Sequence, residues 1–161
     1  MCHNTHQCDR GFSTGLLVDV YGTSPLESNE DVYRRFMWTF NSSTGDLFAP
    51  DLTKVERGYA GGNLGKNPEG INNKAYQYTK FIGPLPVGWY TFGTAVEGSH
   101  LGPLAIPLTP DAENDMRGRG DFYLHADTIG HPRCASEGCI VMSHTTRLLV
   151  NQSDDKRLQV I

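Results

Sequence analysis

A histidine and a cysteine near the end of the chain are the residues whose types could do chemistry. His125 ends the run Phe-Tyr-Leu-His, and Cys139 follows fourteen positions later. A thiol is a competent nucleophile as thiolate, and a neighbouring imidazole is the usual group that takes its proton and returns it to a leaving amine. The pair therefore predicts a cysteine acyl-transfer enzyme, with Cys139 as nucleophile and His125 as general base and acid.

The residues before the cysteine favour a tight turn. Gly138 allows the backbone to turn sharply at a strand start, so that amides near Cys139 can point at an oxyanion. A third group should orient His125, and Ser136 or a backbone carbonyl fits this role better than Asp127, which we expect to serve the following loop. For Ser136, a turn-stabilising hydroxyl is an equal alternative. Beside an imidazolium, we expect the Cys139 thiolate to be populated below neutral pH.

The elements that must position the pair are two neighbouring strands. Phe122 and Leu124 alternate with Tyr123 and His125, so the imidazole should leave its strand on the face away from the core. Segment 128–133 contains a glycine and a proline and is typical of a loop. We therefore expect the histidine and the cysteine on adjacent strands joined by a loop over the site.

The chain as a whole predicts a mainly β fold. It has 161 residues with 18 glycines, 9 prolines and short alternating apolar runs, a length that can bury a real core. One short helix is expected to begin after Ser143 as N-cap and to end near residues 151–154. The segments predicted as strands are 36–41, 47–48, 55–59, 89–94, 104–108, 121–125, 139–142 and 157–161.

Ordered motifs resemble the L,D-transpeptidases of bacterial peptidoglycan (YkuD-type), whose signature is a histidine followed further along by Ser/Thr-x-Gly-Cys-Ile/Val. The stretch Ser-Glu-Gly-Cys-Ile at residues 136–140 fits this signature. The resemblance covers roughly residues 37–161 and is closest to the shorter, signal-peptide-less branch used as type VI secretion effectors. Further motifs that resemble this branch lie at residues 38–45, 58–62, 65–67, 83–90 and 114–119.

The resemblance implies a single L,D-transpeptidase-like β-sandwich or barrel with one or two short helices. It implies L,D-carboxypeptidase and L,D-transpeptidase or D-amino acid exchange activity on peptidoglycan tetrapeptide stems, with no cofactor and no metal. The implied partners are a cognate immunity protein and type VI secretion components. The enzyme would be made in the cytoplasm without a signal peptide and would act in the periplasm of target bacteria.

Two positions depart from the family pattern. Ala126 stands where the family usually has glycine, and Val141 stands where the cell-wall enzymes often carry arginine. The family's recognition of a substrate carboxylate therefore does not carry over directly, and we assign Arg119 and Arg133 to substrate binding as candidates to replace it. A solvated surface arginine is the alternative for each member of the candidate set, which is Arg117, Arg119, Arg133 and Arg147.

A glycine-rich segment follows residue 58. Gly61, Gly62 and the residues up to Lys66 superficially suggest a phosphate loop, but the Lys-Ser/Thr ending and a preceding apolar strand are lacking. We therefore assign Tyr59, Gly61 and Gly62 to the wall of the substrate groove.

Charge and hydropathy restrict the partners. The formal net charge is −4, with 14 basic and 18 acidic residues and no basic tract, which argues against a nucleic-acid partner. No run of eighteen apolar residues exists, so we expect no membrane span. The N-terminal residues show no apolar h-region, so we expect no signal peptide.

Residues 1–36 differ in composition from the rest. They are polar and turn-rich apart from a strand-like run at 15–21, and we interpret them as an N-terminal extension to a catalytic domain at 37–161. An extra strand or lid, a secretion-docking arm and a partly disordered arm are the alternatives for this extension.

The four cysteines and several histidines leave other chemistries open. Cys2 with Cys8 is the simplest disulfide, Cys134 with either is an alternative, and a Cys134–Cys139 bridge would act as a redox latch. Zinc is a rival, but the spacings do not give two tight ligand pairs. A catalytically silent peptidoglycan-binding module is the rival function. The residues of the Cys/His-rich stretch are His125, His131, Cys134, Cys139 and His144.

Overall fold

The structure is a computed structural model that describes residues 37–97 and 100–161. The predictions for residues 1–36, and those for disulfides that include Cys2 or Cys8, lie outside the described residues. Within the described part, none of the helices has the length and apolar character that crossing a bilayer requires.

Nine strands form one mixed sheet, which confirms the mainly β prediction. Its order is β3-β2-β1-β9-β5-β6-β7-β8-β4. One α-helix, α1 (His144–Gln152), and three short 3-10 turns (Asn63–Gly65, Pro68–Gly70, Lys74–Tyr76) accompany the sheet in the described ranges. The strands are β1 (Trp38–Phe40), β2 (Asp46–Phe48), β3 (Lys54–Arg57), β4 (Tyr59–Ala60), β5 (Gly88–Phe92), β6 (Ile106–Pro110), β7 (Phe122–His125), β8 (Ile140–Val141) and β9 (Arg157–Val160).

A single residue, Gly58, connects the two edge strands of the sheet. The two edge strands, β3 and β4, are consecutive in the chain and are separated by this one residue. A Cβ atom at Gly58 would lie 2.1 Å from the carbonyl oxygen of Val141, so only glycine fits where the chain passes from one edge to the other. The strand predicted at 55–59 is therefore divided in two, and the sheet is a nearly closed barrel.

The core lies inside the curved sheet and follows the two-residue alternation of the strands. Trp38, Phe40, Tyr90, Leu124 and Ile140 are each no more than 2 % exposed. Burial of such large side chains is the main stabilising contribution that this sequence offers, at about 25 cal/mol per Å² of apolar area removed from water. Every strand predicted between residues 36 and 161 is present, with bounds that differ by a few residues.

Helix α1 begins as predicted. The Ser143 hydroxyl accepts a hydrogen bond from the Thr146 amide, which makes Ser143 the N-cap. Thr146, Arg147 and Val150 form the buried face of the helix. The helix thereby brings Arg147 against the segment between β5 and β6.

Candidate active site

The pairing of β7 with β8 places the histidine and the cysteine on neighbouring strands. The strands are parallel, with Leu124 opposite Ile140 and His125 opposite Val141. Cys139 directly precedes Ile140, the first residue of β8, so the cysteine lies at the start of the strand that neighbours the histidine's strand. The prediction of adjacent strands joined by a loop is confirmed.

His125 is held in one tautomer. Its Nδ1 atom lies 2.7 Å from the Ala126 carbonyl oxygen, and because a carbonyl can only accept, Nδ1 carries the hydrogen. Its Nε2 atom is buried and has no hydrogen-bond partner among the described residues. His125 is only 1 % exposed, so its imidazole is buried even though we expected it on the face of β7 that points away from the core. The orienting group is thus a backbone carbonyl, one of the two alternatives favoured above.

Burial keeps the imidazole neutral. Desolvation lowers the pKa of His125, the Ala126 carbonyl opposes this shift, and the nearby Arg147 guanidinium adds to it. Since Nδ1 holds the proton, the free Nε2 lone pair is the basic atom.

The Cys139 thiol is also neutral at rest. Desolvation raises the pKa of Cys139 to about 11, although the Tyr123 amide and the Arg119 guanidinium act in the opposite direction. The sulfur lies 3.9 Å from the Asp121 carbonyl oxygen, which can accept the thiol hydrogen. The expectation of a thiolate below neutral pH is therefore wrong for the resting protein, because the loss of water outweighs the nearby positive charge.

Ser136 braces the turn before the cysteine and does not contact His125. Its Oγ donates to the Cys139 carbonyl (2.7 Å) and accepts from the amides of Gly61 (2.8 Å) and Gly138 (3.0 Å). The turn-stabilising alternative for Ser136 is therefore the one that the structure matches. The Gly138 amide, which we expected to face an oxyanion, is occupied by this hydroxyl.

Gly138 is required by close packing. Its φ of +139° lies in a region that side chains rarely adopt, and a Cβ would lie 2.4 Å from Arg119 Nη2 and 2.9 Å from Phe122 Cε1. The residue therefore allows the turn to rest directly on an arginine and an aromatic ring.

Tyr59 anchors the loop between the histidine and the cysteine. Its hydroxyl donates to Asp127 Oδ1 (2.6 Å) and accepts from the Ala135 amide (3.0 Å). Asp127 Oδ2 accepts from the Arg133 amide at 2.8 Å. Burial acts to raise the pKa of Asp127, but these hydrogen bonds outweigh it and the pKa is lowered. Asp127 thus serves the loop as predicted, and the Tyr59 hydroxyl is engaged there rather than free for substrate.

Gly61 and Gly62 support the site from behind. Both are buried; the Gly61 amide donates to Ser136, and the Gly62 amide donates to the Ile82 carbonyl at 2.7 Å. A Cβ at Gly61 would lie 2.6 Å from that same Ile82 carbonyl oxygen. These two glycines therefore hold the segment around Ile82 against the cysteine turn. Their assignment to the wall of the substrate groove stays a prediction.

The four candidate arginines lie in two different environments. Arg133 is exposed, with its guanidinium 5.7 Å from the centre of the Tyr59 ring, and Arg117 is exposed and paired with Asp115. Arg119 and Arg147 are buried at 7 % and 3 % exposed, so the surface alternative is wrong for these two. The terminal N–H groups of Arg119 donate to backbone carbonyls, which leaves none of them for a substrate carboxylate.

Two open pockets lie in this part of the structure. One, of about 310 Å³, reaches Cys139 and is lined by charges of both signs from Lys80, Asp121 and Glu137. The other, of about 400 Å³, lies beside the residues that follow His125 and Cys139 in the chain. Sequence reasoning missed the pocket at Cys139, since Lys80 carries no motif of its own.

Neither metal binding nor a redox latch finds a preformed site in the described ranges. No group of three or more His, Cys, Asp or Glu side chains is arranged there to hold a metal ion. Cys134 and Cys139 carry free thiols. His131 and His144 are exposed.

Comparison with known proteins gives one match. The family model of the Tlde1 domain matches residues 64–161, which is more than half of the chain and includes both His125 and Cys139. No curated protein and no solved structure matches the chain. The matched region includes five of the nine strands, β5 to β9, together with helix α1. The chain therefore belongs to the Tlde1-domain family, a family of type VI secretion effectors.

Proposed function

We propose that this protein is a secreted antibacterial effector that acts on peptidoglycan stem peptides by cysteine acyl transfer. One observation carries the proposal: His125 has a buried Nε2 atom without a partner among the described residues, and Cys139 lies at the start of the strand that pairs with the histidine's strand. A buried basic nitrogen without a hydrogen-bond partner lowers the stability of a folded protein. A role as the base that takes the proton of a nucleophilic thiol would explain why this one is present.

The first half-reaction follows from the neutral pair. Nε2 of His125 takes the thiol proton as the Cys139 sulfur attacks the carbonyl of the L-configured centre of meso-diaminopimelate in a tetrapeptide stem. A carbon–sulfur bond forms, and the carbonyl oxygen gains negative charge. When the tetrahedral intermediate collapses, the carbon–nitrogen bond breaks and the imidazolium returns its proton to the leaving D-amino acid. A thioester on Cys139 remains.

The acceptor determines the product. Water attacking the thioester gives L,D-carboxypeptidase activity, a D-amino acid gives exchange, and a second stem gives a cross-link. In each case His125 takes a proton from the acceptor, and the thiol leaves and is restored. The Gly138 amide already donates to the Ser136 hydroxyl, so we do not assign this amide to binding the negative oxygen of the tetrahedral intermediate.

The pocket at Cys139 suits a charged substrate end. Lys80 offers a cation for a carboxylate, while Asp121 and Glu137 offer anions for an ammonium group. The D-configured centre of a diaminopimelate side chain carries both charges. We therefore assign the donor stem to this pocket, in place of the earlier assignment of the carboxylate to Arg119.

The proposed site of action is the periplasm of rival bacteria, where polymerised peptidoglycan is found. Membership in a type VI effector family supports delivery by that secretion system. A cognate immunity protein that covers the His125 and Cys139 site in the producing cell belongs to the same proposal.

Intact-protein mass spectrometry tests the proposal. Protein incubated with tetrapeptide muropeptides, or with a carbapenem as acylating probe, should gain the acyl mass, and digestion with peptide mapping should place this mass on the peptide that contains Cys139. Cys134→Ala is the matched control, because Cys134 is the other free thiol in the described ranges and lies in the same loop region. It should acylate like the native protein. Binding of muropeptides without any mass gain would favour the silent binding module.

A further inference from the structure

Arg119 is buried behind the nucleophile turn and is bound by backbone alone. Its side chain donates to four carbonyl oxygens that come from two separate parts of the chain. Nη1 donates to the carbonyls of Gln77 and Pro84, the latter at 2.6 Å. Nη2 donates to those of Gly83 (3.0 Å) and Glu137 (3.2 Å). The arginine therefore ties segment 77–84 to the residue two positions before Cys139.

The charge of Arg119 has no carboxylate partner. Among the described residues no Asp or Glu lies within ion-pair distance of its guanidinium. Four carbonyl dipoles solvate the cation in part, yet burial still lowers the pKa of Arg119. A neutral side chain could also fix these loops by hydrogen bonds, so the buried positive charge of Arg119 needs a separate explanation.

The charge lies against the turn that presents the thiol. A Cβ on Gly138 would be 2.4 Å from Nη2, so the guanidinium touches the residue that precedes the nucleophile. Its other neighbour is the Phe122 ring, whose centre is 5.2 Å from the guanidinium carbon. Arg119 and Cys139 also line the same pocket.

We propose that Arg119 is a positioning residue that stabilises the Cys139 thiolate as it forms, by fixing a positive charge behind the Glu137–Gly138 turn. It acts through the sulfur, because its terminal N–H groups are already bound to four backbone carbonyls. Lys80, the other cation of this pocket, is exposed, whereas Arg119 is buried and held by its four acceptors. This inference rests on the assignment of Cys139 as nucleophile.

The direction of the electrostatic effects agrees with this role. Burial raises the pKa of Cys139, and the Arg119 charge opposes that rise. A deprotonated sulfur would in turn raise the pKa of Arg119, which is the reciprocal effect. Arg119 thus reduces the work that His125 must do when it removes the thiol proton.

Thiol alkylation separates this role from a merely structural one. Iodoacetamide reacts with the thiolate, so the rate at a fixed pH of about 8.5 reports the ionised fraction. In Arg119→Met the rate of Cys139 alkylation should fall about tenfold, the effect of one pKa unit. Arg119→Lys keeps a charge but cannot bind four carbonyls, so its rate should stay within about threefold of native if charge is what matters.

Arg147→Met is the matched control. Arg147 is also buried and donates to the backbone carbonyls of Met142, Pro103 and Leu104, but it lies on the His125 side. Both methionine variants should unfold at lower temperature than native, and only Arg119→Met should alkylate more slowly.

Two results would overturn the inference. One is an Arg119→Met rate equal to or above native, and the other is an equal loss in Arg147→Met. If Arg119→Met does not fold, Arg119→Lys decides alone, and a tenfold or larger loss in that variant counts against the charge. Because alkylation needs no muropeptide, a charge-dependent rate without any muropeptide processing would leave this inference standing and remove the proposed function.

Discussion

The Nδ1 atom of His125 lies 2.7 Å from the carbonyl oxygen of Ala126, the residue that follows it in the chain. This contact places the hydrogen on Nδ1 and leaves Nε2 as the basic atom. With desolvation lowering the pKa of His125 and raising that of Cys139 to about 11, both side chains are neutral before substrate binds. The proposed reaction therefore begins with general-base activation of the thiol and not with a preformed ion pair.

The pH dependence of kcat/KM should reflect this neutral pair. Activity should fall on the acid side only below about 6.5, the ordinary pKa of histidine, because the lowered pKa keeps the imidazole unprotonated to lower pH. On the alkaline side activity should persist past pH ~8.5. A bell-shaped profile in which activity is lost near that pH would indicate an active imidazolium and would contradict the neutral pair. Release of D-alanine from tetrapeptide muropeptides gives the rate.

Ser136→Ala should destabilise the fold and slow the reaction. The change removes one donor and one acceptor from a buried site and leaves the amides of Gly61 and Gly138 without their partner. We expect a loss of at least about 2 kcal/mol in the free energy of unfolding, measured by urea denaturation. Ser43→Ala, at an exposed position, should stay within about 0.5 kcal/mol of native. An equal effect of the two changes would contradict the bracing role of Ser136.

Tyr59→Phe should loosen the loop between the histidine and the cysteine. The hydroxyl is the shared partner of Asp127 and the Ala135 amide, and its loss should cost about 1–3 kcal/mol. Trypsin cleavage after the exposed Arg133 should therefore become faster in this variant. Tyr78→Phe is the control, since Tyr78 is exposed and lies outside the loop. Native-like cleavage of Tyr59→Phe would show that the hydroxyl does not hold the loop.

Toxicity should depend on the compartment. Because the proposed substrate lies outside the cytoplasm, expression in the cytoplasm should be harmless, and fusion to a secretion signal should produce swelling or lysis. The same fusion carrying Cys139→Ala should be harmless, and microscopy with viable counts measures each case. Equal toxicity from the cytoplasm would point to another target.

Much of the fold follows from local pattern in the sequence. Strands such as 121–125 alternate apolar and polar side chains, and Ser143 offers a side-chain cap with Thr146 within reach, so these elements can be inferred without tertiary information. The division at Gly58 could not be inferred. It arises because β8 passes close enough for the Val141 carbonyl to exclude a Cβ, a contact between residues far apart in sequence.

The candidate site was predictable in its residue types and not in its electrostatics. His125 and Cys139 are marked by their spacing and flanking residues, whereas the burial of Arg119 depends on four carbonyls in two distant segments that no local pattern announces. The thiolate expectation was wrong for a related reason. That expectation considered the effect of a neighbouring imidazole on the pKa of Cys139. It did not consider the loss of water around the sulfur, which raises the pKa and depends on the packed structure.

Conversion of tetrapeptide to tripeptide stems by matched cysteine variants tests the central claim most directly. Purified muropeptides are incubated with native protein, Cys139→Ala and Cys134→Ala, and the products are separated by liquid chromatography with mass detection. Native protein and Cys134→Ala should release the terminal D-residue, and Cys139→Ala, which removes the nucleophile and little volume, should release none while keeping its circular dichroism spectrum. Processing by Cys139→Ala, or its loss in Cys134→Ala alone, would contradict the assignment of Cys139 as the nucleophile.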